Sequence, residues 1–231
     1  MEKIIKALQL NLVKDSRYMY ILDGLKNTMV ITLFATIVGI LLGLIIALIR
    51  TTYDNTKKLK ILNAICQVYM TVIRGTPVII QLMILFFCIF TSRNVSGVMV
   101  AIIGFGLNSS AYVAEIFRSG LMSIDIGQME AGRSLGLSYF ETLRYIIIPQ
   151  AFKVVLPALG NEFIVLIKET SVAGYVAVQD LTKGGDIIRS RTYDAWTPLI
   201  IVALIYLLLT CIFSLAVKKL EVNLRKNERK G

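Results

Sequence analysis

The 231-residue chain contains no histidine, three cysteines, four prolines and one tryptophan, and only 17% of its residues are charged. Without histidine there is no imidazole base, no Ser-His triad and no zinc site of the usual kind. Cys66, Cys88 and Cys211 lie far apart in apolar segments, so they read as small hydrophobes, not as a disulfide framework or a metal set. No metal site is expected. No G-x-x-x-x-G-K-[ST] phosphate cradle occurs, and Lys183-Gly184-Gly185 has the wrong order with no helix pattern after it. The chain is therefore not expected to hydrolyse ATP or to hold a cofactor of its own.

What the sequence has is apolar length. Hydrophobic residues make up 56% of it, against roughly 45–50% in soluble domains, and the mean hydropathy is +0.71. The net charge of +10 does not point to nucleic acid, because the basic residues sit between apolar runs and form no single reading face. The fold class expected is an all-α membrane protein with five transmembrane helices, at about 28–49, 77–90, 98–117, 146–167 and 195–217. The first contains Gly39 and Gly43 in a G-x-x-x-G arrangement, which either permits close helix approach or reflects only the frequency of glycine in such helices. Before the second, an interfacial helix ends near Ile73 at the sequence RGTP, where Thr76 suits an N-cap and Pro77 the first helical position. Lys218 and Lys219 are expected to stop the fifth.

Orientation follows from the excess of Lys and Arg on the cytoplasmic side. Connections holding Arg50, Lys57, Lys58 and Lys60, then Arg118, Arg133, Arg144 and Lys153, and finally a basic tail with Arg229 and Lys230, outweigh the set containing Lys3, Arg17, Arg93, Lys168 and Arg189. The N-terminus is then outside and the C-terminus cytoplasmic. The whole of 1–231 reads as one domain: an outer amphipathic segment over 1–23 with no secretory-signal pattern, a core over about 24–221, and a basic tail over 222–231.

One internal segment, EAGRSLGLSYFETLRYIIIPQA, is polar although apolar runs flank it on both sides. It belongs to the loop 119–147 between the third and fourth spans. Asp125 can cap a helix there, with Gln128 in capping-box spacing, and Gly136 is a natural stop. A short rigid polar helix on the inner face is a docking element or, failing that, a solvated loop helix.

Glu130-Ala131, Gly136 five residues after Ala131, and Ile146 and Pro149 together resemble the EAA motif of ATP-binding-cassette importer permeases. Gly132 stands where that motif has Ala, and Ile148 where it has Leu. VIRGTPVIIQ (72–81), LNSSAYVAEIFRSG (107–120), SLGLSYFETLRYIIIPQA (134–151) and LPALGNEFIVLIKETS (156–171) resemble the polar amino-acid branch, the histidine, glutamine and arginine uptake group. The connection TSRNVSG is short for that group. The resemblance implies a type I importer permease in a bacterial inner membrane. Its implied partners are a second permease subunit, cytoplasmic ATPase subunits that use ATP-Mg, an extracytoplasmic solute-binding protein, an amino-acid substrate and membrane lipid. It implies also that the loop is a coupling helix, with Glu130, Ala131, Gly132, Arg133, Leu135 and Gly136 meeting the ATPase and Leu135 and Leu137 anchoring it.

Ionisable groups within spans are functional candidates. Glu162 and Asn161 in the fourth span, with Asn108 and Ser109 in the third, are the expected substrate-binding residues. A carboxylate suits the ammonium of an amino acid and amides suit its carboxylate. For Glu162 the other reading is a structural pair with Lys168 or an interhelical hydrogen bond. Arg74, with Thr76 and Pro77, is expected at a gate or interface. It meets a substrate carboxylate or a gate partner, or simply snorkels to the bilayer surface. Glu115 and Arg118 are expected to pair with each other or with the loop, and Lys168, Glu169 and Thr170 to meet the binding protein. A membrane-embedded hydrolase has no support without a nucleophile–base pair. A channel, or a permease subunit for another small polar solute, is the alternative.

Overall fold

The structure, a computed structural model, describes residues 2–92 and 94–226; Arg93, Arg229 and Lys230, which weighed in the charge count, lie outside the described residues. Those residues fold into helices alone. Helix α1 (Glu2–Leu8) runs through a π turn and a 3-10 turn into α2 (Tyr18–Thr56). α2 begins at Tyr18, inside the stretch expected to be a separate outer segment. Asn11 is buried and donates to Asp194 at 2.8 Å, so the N-terminal arm is packed on the fold.

Four helical segments are long and apolar enough to cross a membrane: Tyr18–Thr56, Gly97–Met122, Tyr139–Val176 and Trp196–Leu224. The expected second span is different. Helix α3 (Lys60–Gly75) and helix α4 (Val78–Ile84), which a π turn extends to Ile89, meet at a bend of 109°. The seven residues of α4 and five of the turn reach about 18 Å at 1.5 Å per residue, short of a bilayer's hydrocarbon core of about 30 Å. Only the bent pair as a unit could cross, giving four or five spans in all. Thr76 does not cap α4. It ends α3, its hydroxyl donates back to Val72 O at 2.8 Å, and Pro77 is the cap position, with extended ψ.

Helix α5 (Gly97–Met122) opens with Ser96 accepting from Met99 N. It packs along α2 in parallel: Gly106 faces Ala35 and Val38, Gly39 faces Ser109, and Gly43 faces Val113. A β-carbon on Gly43 would lie 2.6 Å from Val113 Cγ1, so the glycines serve close packing. Helices α6 (Ile126–Ser134) and α7 (Tyr139–Thr142) form the loop. Helix α8 (Ile148–Glu169) returns antiparallel to α5, with Val155 against Gly120 and Glu162 against Ser109. The core joins Ile31 and Ala35 of α2, Leu82 of α4, Ala101 and Phe105 of α5, and Leu166 of α8.

Lys183-Gly184-Gly185 lies inside helix α9 (Leu181–Thr192), capped by Asp180, where sequence pattern gave no helix. Its glycines have a packing reason: Gly184 meets Tyr20 O and Gly185 meets Val202. Helix α10 (Trp196–Lys226) continues through Lys218 and Lys219. Lysine is a good helix former, so the two lysines end the apolar stretch and leave the helix intact.

Candidate functional site

At mid-bundle, where α2 and α5 touch through glycine, α8 brings a carboxylate inward. Ser109 Oγ donates to Glu162 Oε1 at 2.8 Å, and no second hydrogen bond to Glu162 forms among the described residues. Ser109 is fully buried while Glu162 is half-buried. One carboxylate oxygen is thus held by the helix behind it, and the other accepts no hydrogen bond among the described residues. Asn161 is exposed on the neighbouring face of α8 and makes no hydrogen bond to the described residues. Lys168 is exposed and forms no ion pair with Glu162; Ser109 is the structural partner instead.

Asn108 does not join them. It is buried and donates to Gln81 Oε1 at 3.1 Å. The Gln81 amide nitrogen meanwhile reaches Ile73 O, Thr76 O and Thr76 Oγ1, at 2.8, 3.1 and 2.8 Å. These are acceptors left open where α3 stops, so Gln81 ties the bend together and Asn108 ties the bend to α5. Sequence reasoning passed over Gln81, whose signal was a lone amide in the apolar run VIIQLMILFF. It also passed over Tyr69, whose hydroxyl donates to Leu107 O at 2.7 Å across the same junction.

Inward of Ser109, Arg74 lies over the ring of Tyr112, 5.6 Å from its centroid. The guanidinium lines an open cleft of about 620 Å³ with Gln67, Thr71 and, deeper, Arg50 and Glu115. Glu115 pairs with Arg118 as expected, at 3.6 Å, but the group extends to α2 and not to the loop: Arg50 is 3.8 Å from Glu115 and Asp54 is 3.5 Å from Arg118.

The loop is a built element. Asp125 caps α6 by accepting from Gly127 N at 2.7 Å. Gln128 does not complete the box; its side chain instead accepts from Gln150 of α8. The reciprocal capping box is at Ser138 and Glu141 of α7. α6 ends with Gly136 at φ +88°, Gly136 N donating to Arg133 O and Leu137 N to Gly132 O. This double bond pattern needs a left-handed residue, which glycine supplies without strain. Glu130, Ala131 and Arg133 are exposed. Leu135, 82% exposed, anchors nothing within the chain. Gly132 is buried against Thr142, so this position holds α6 on α7.

Three aspartates outside the apolar helices cluster near α9. Burial pushes the Asp180 carboxyl up, although Lys183 N and Thr182 N donate to it. Bonds from Arg189 and Lys183 hold Asp186 down, and bonding to Thr197 lowers Asp194.

Residues 39–226 match the family described as "Binding-protein-dependent transport system inner membrane component". Among similar proteins is the probable amino-acid ABC transporter permease protein YckA of Bacillus subtilis, 40% identical over 188 residues, 81% of each chain. The glutamine transport system permease protein GlnP of Escherichia coli K12 is 35% identical, covering 87% of this chain and 91% of its own. A crystal structure of an amino acid ABC transporter with histidines superimposes with a TM-score of 0.83 at 39% identity, covering 91% of this chain and 97% of that one.

Proposed function

The chain belongs to the family of binding-protein-dependent transport system inner membrane components, and from that premise we propose that it is the membrane-spanning permease subunit of an ATP-driven amino-acid importer in the bacterial cytoplasmic membrane. The observation that carries this reading is the loop helix α6. It is capped at both ends, clamped to α7 and α8, and presents Glu130, Arg133 and Leu135 away from the bundle. A partner ATPase that closes on ATP-Mg has to move the ends of the membrane helices, and a rigid helix transmits that motion where a flexible loop would absorb it.

Five crossings with the N-terminus outside fit the packing. Because α2 and α5 run parallel, the bent pair α3–α4 has to return the chain to the side from which α2 started. The basic residues before α3, around α6 and at the end of α10 then share the ATPase side. A second permease subunit, identical or paralogous, completes the translocation path, and an extracytoplasmic binding protein delivers the amino acid to the side of α9.

Glu162 receives the substrate ammonium. Glu162→Gln keeps the bond to Ser109 and removes the charge. Loss of a charge-assisted bond, about 1.5–3 kcal/mol, weakens affinity roughly tenfold to a hundredfold, while ATPase assembly and complex stability persist. The test is amino-acid uptake by the purified permease–ATPase complex in proteoliposomes with its binding protein. A stable complex of undiminished affinity refutes the role of Glu162, and uptake that persists without ATP favours a channel.

A further inference from the structure

We propose that the loop-side end of α2, residues 50–56, is a second arm of the coupling loop: Tyr139 of α7 grips Asn55, and the charged cluster beside Asn55 passes displacement of the loop to the wall of the cleft. The inference rests on the reading of α6 as the ATPase-docking helix. It begins with length. The 39 residues of α2 span about 58 Å at 1.5 Å per residue, nearly twice the hydrocarbon core of about 30 Å. After Ile49 the sequence turns polar, RTTYDNT. The helix nevertheless continues until Lys57 turns left-handed, its N–H donating to Tyr53 O at 2.8 Å. Such an end is a stiff rod beyond the apolar layer, and it stops against the loop: Asn55 Nδ2 donates to Tyr139 Oη at 3.1 Å.

Tyr139 is the first residue of α7, directly behind the capping box of Ser138 and Glu141. Helix α7 in turn holds α6, with Thr142 against Gly132. Direct contacts therefore run from α6 through α7 to the end of α2.

Next to Asn55 the end of α2 is charged. Asp54 lies 3.5 Å from Arg118 of α5, Arg118 3.6 Å from Glu115, and Glu115 3.8 Å from Arg50, which returns the cluster to α2. Arg50 also donates to Met70 Sδ of α3 at 3.2 Å, and Arg50 and Glu115 line the cleft. Two features mark this cluster as an element with a second arrangement. Its separations exceed the roughly 2.7–2.9 Å of a hydrogen-bonded ion pair, whereas Arg189 and Asp186 on α9 close to 2.6 Å. In addition, Arg118 Nε is buried without a hydrogen-bond partner among the described residues, although Asp54 stands nearby. A buried N–H left unmet is costly. A closing movement of about 0.7 Å, from 3.5 Å to about 2.8 Å, satisfies it. A pull on Asn55 moves Asp54, its neighbour on the same helix. Motion of the docked loop thereby shifts the cluster, and with it the side of the cleft formed by Arg50 and Glu115. Tyr139, Asn55 and Asp54 are in this role positioning residues.

The test measures amino-acid uptake and phosphate release on the same proteoliposomes, holding the permease–ATPase complex with its binding protein. Tyr139→Phe removes one hydroxyl and keeps the ring. It should lower the amount transported per ATP about twofold to tenfold, the worth of one neutral hydrogen bond, with yield, melting temperature and ATPase retention unchanged. Asn55→Ala should do the same, and the double variant should be no worse than the worse single, because both break one contact. Asn55→Asp offers a carboxylate to the tyrosine hydroxyl, so it should stay coupled alone and lose coupling when combined with Tyr139→Phe. Asp54→Asn should lower the ratio through the cluster. If Asn55→Ala does not assemble, Tyr139→Phe and Asn55→Asp decide the matter. An unchanged ratio in Tyr139→Phe or in Asp54→Asn, or losses that add in the double variant, overturns the inference. So does loss of ATPase retention in Tyr139→Phe, which would make Tyr139 a docking residue; in each of these cases the role of α6 stands. Normal ATPase retention in both Glu130→Ala and Gly136→Val removes the role of α6 and this inference together.

Discussion

Gly132 is where the coupling motif and the packing give opposite advice. The motif it resembles carries alanine at this position, so Gly132→Ala would restore the pattern. In the structure the added β-carbon would meet Thr142 Cγ2 at 2.5 Å and Thr142 Oγ1 at 2.9 Å, when ordinary contact begins near 3.4 Å. Rotating Thr142 exchanges one close atom for the other, and its hydroxyl is held by a 3.0 Å bond to Ser138 O. The helices must therefore separate by about 0.9 Å, the difference between 3.4 and 2.5. Overpacking of this kind costs about 1–3 kcal/mol, against a gain of about 0.5–1 kcal/mol for Gly→Ala in a helix interior. The net cost in stability is about 0–2.5 kcal/mol, and coupling suffers beyond it, because α6 tilts relative to α7 and its docking surface is displaced. Gly132→Ala should lower the number of substrate molecules transported per ATP hydrolysed several-fold, with normal yield of the complex. Thr142→Ser keeps the hydroxyl and removes Cγ2, so the double variant should recover coupling, most of it if the methyl contact dominates. Measuring uptake and phosphate release on the same proteoliposomes decides it. A fully coupled Gly132→Ala, or a defect that Thr142→Ser leaves untouched, would refute the packing reasoning.

Gly136→Val places a β-branched residue at φ +88°, a strain of about 1–3 kcal/mol that should unwind the end of α6 and lower retention of the ATPase in co-purification. Glu130→Ala, on an exposed position, should lower that retention without altering the melting temperature, and normal retention in both variants would remove the coupling role of α6. Burial raises the folded pKa of Asp180 above its unfolded value of about 3.9, so the stability it contributes is present below that pH and is lost as pH rises through the folded value. Thr182 N and Lys183 N donate to different oxygens of Asp180, so Asp180→Asn removes the charge and keeps an acceptor for only one of them. Its melting temperature should be less sensitive to pH between about 4 and 7 than that of wild type; an equal pH dependence in the two proteins would refute the burial of the Asp180 charge as its source.

The linear chain already carried everything that depends on local composition and on one residue's backbone freedom. Runs of apolar residues marked four of the membrane helices, because the cost of leaving such a run in water does not depend on its neighbours. Asp125 and Gly136 marked the ends of α6, since a cap and a left-handed stop are each set by a single side chain or its absence. Glu162 stood out as a carboxylate in an apolar run, and its polar partner Ser109 was in the same set. Helix ends were read less well: Lys218 and Lys219 changed hydropathy without changing helix propensity, and α10 passes through them.

Tertiary structure alone decided which of the chosen polar residues act together. Asn108 and Ser109 are adjacent in sequence, yet about 100° of helix rotation sends one to Gln81 and the α3–α4 bend and the other to Glu162. Gln81 acquired its role only when the bend placed three unmet oxygens around its amide, and Gly132 became a packing residue only when α7 folded back and set Thr142 against it. Such relations depend on the rotation and crossing of helices brought together from distant parts of the chain, and these are set by how the whole bundle packs.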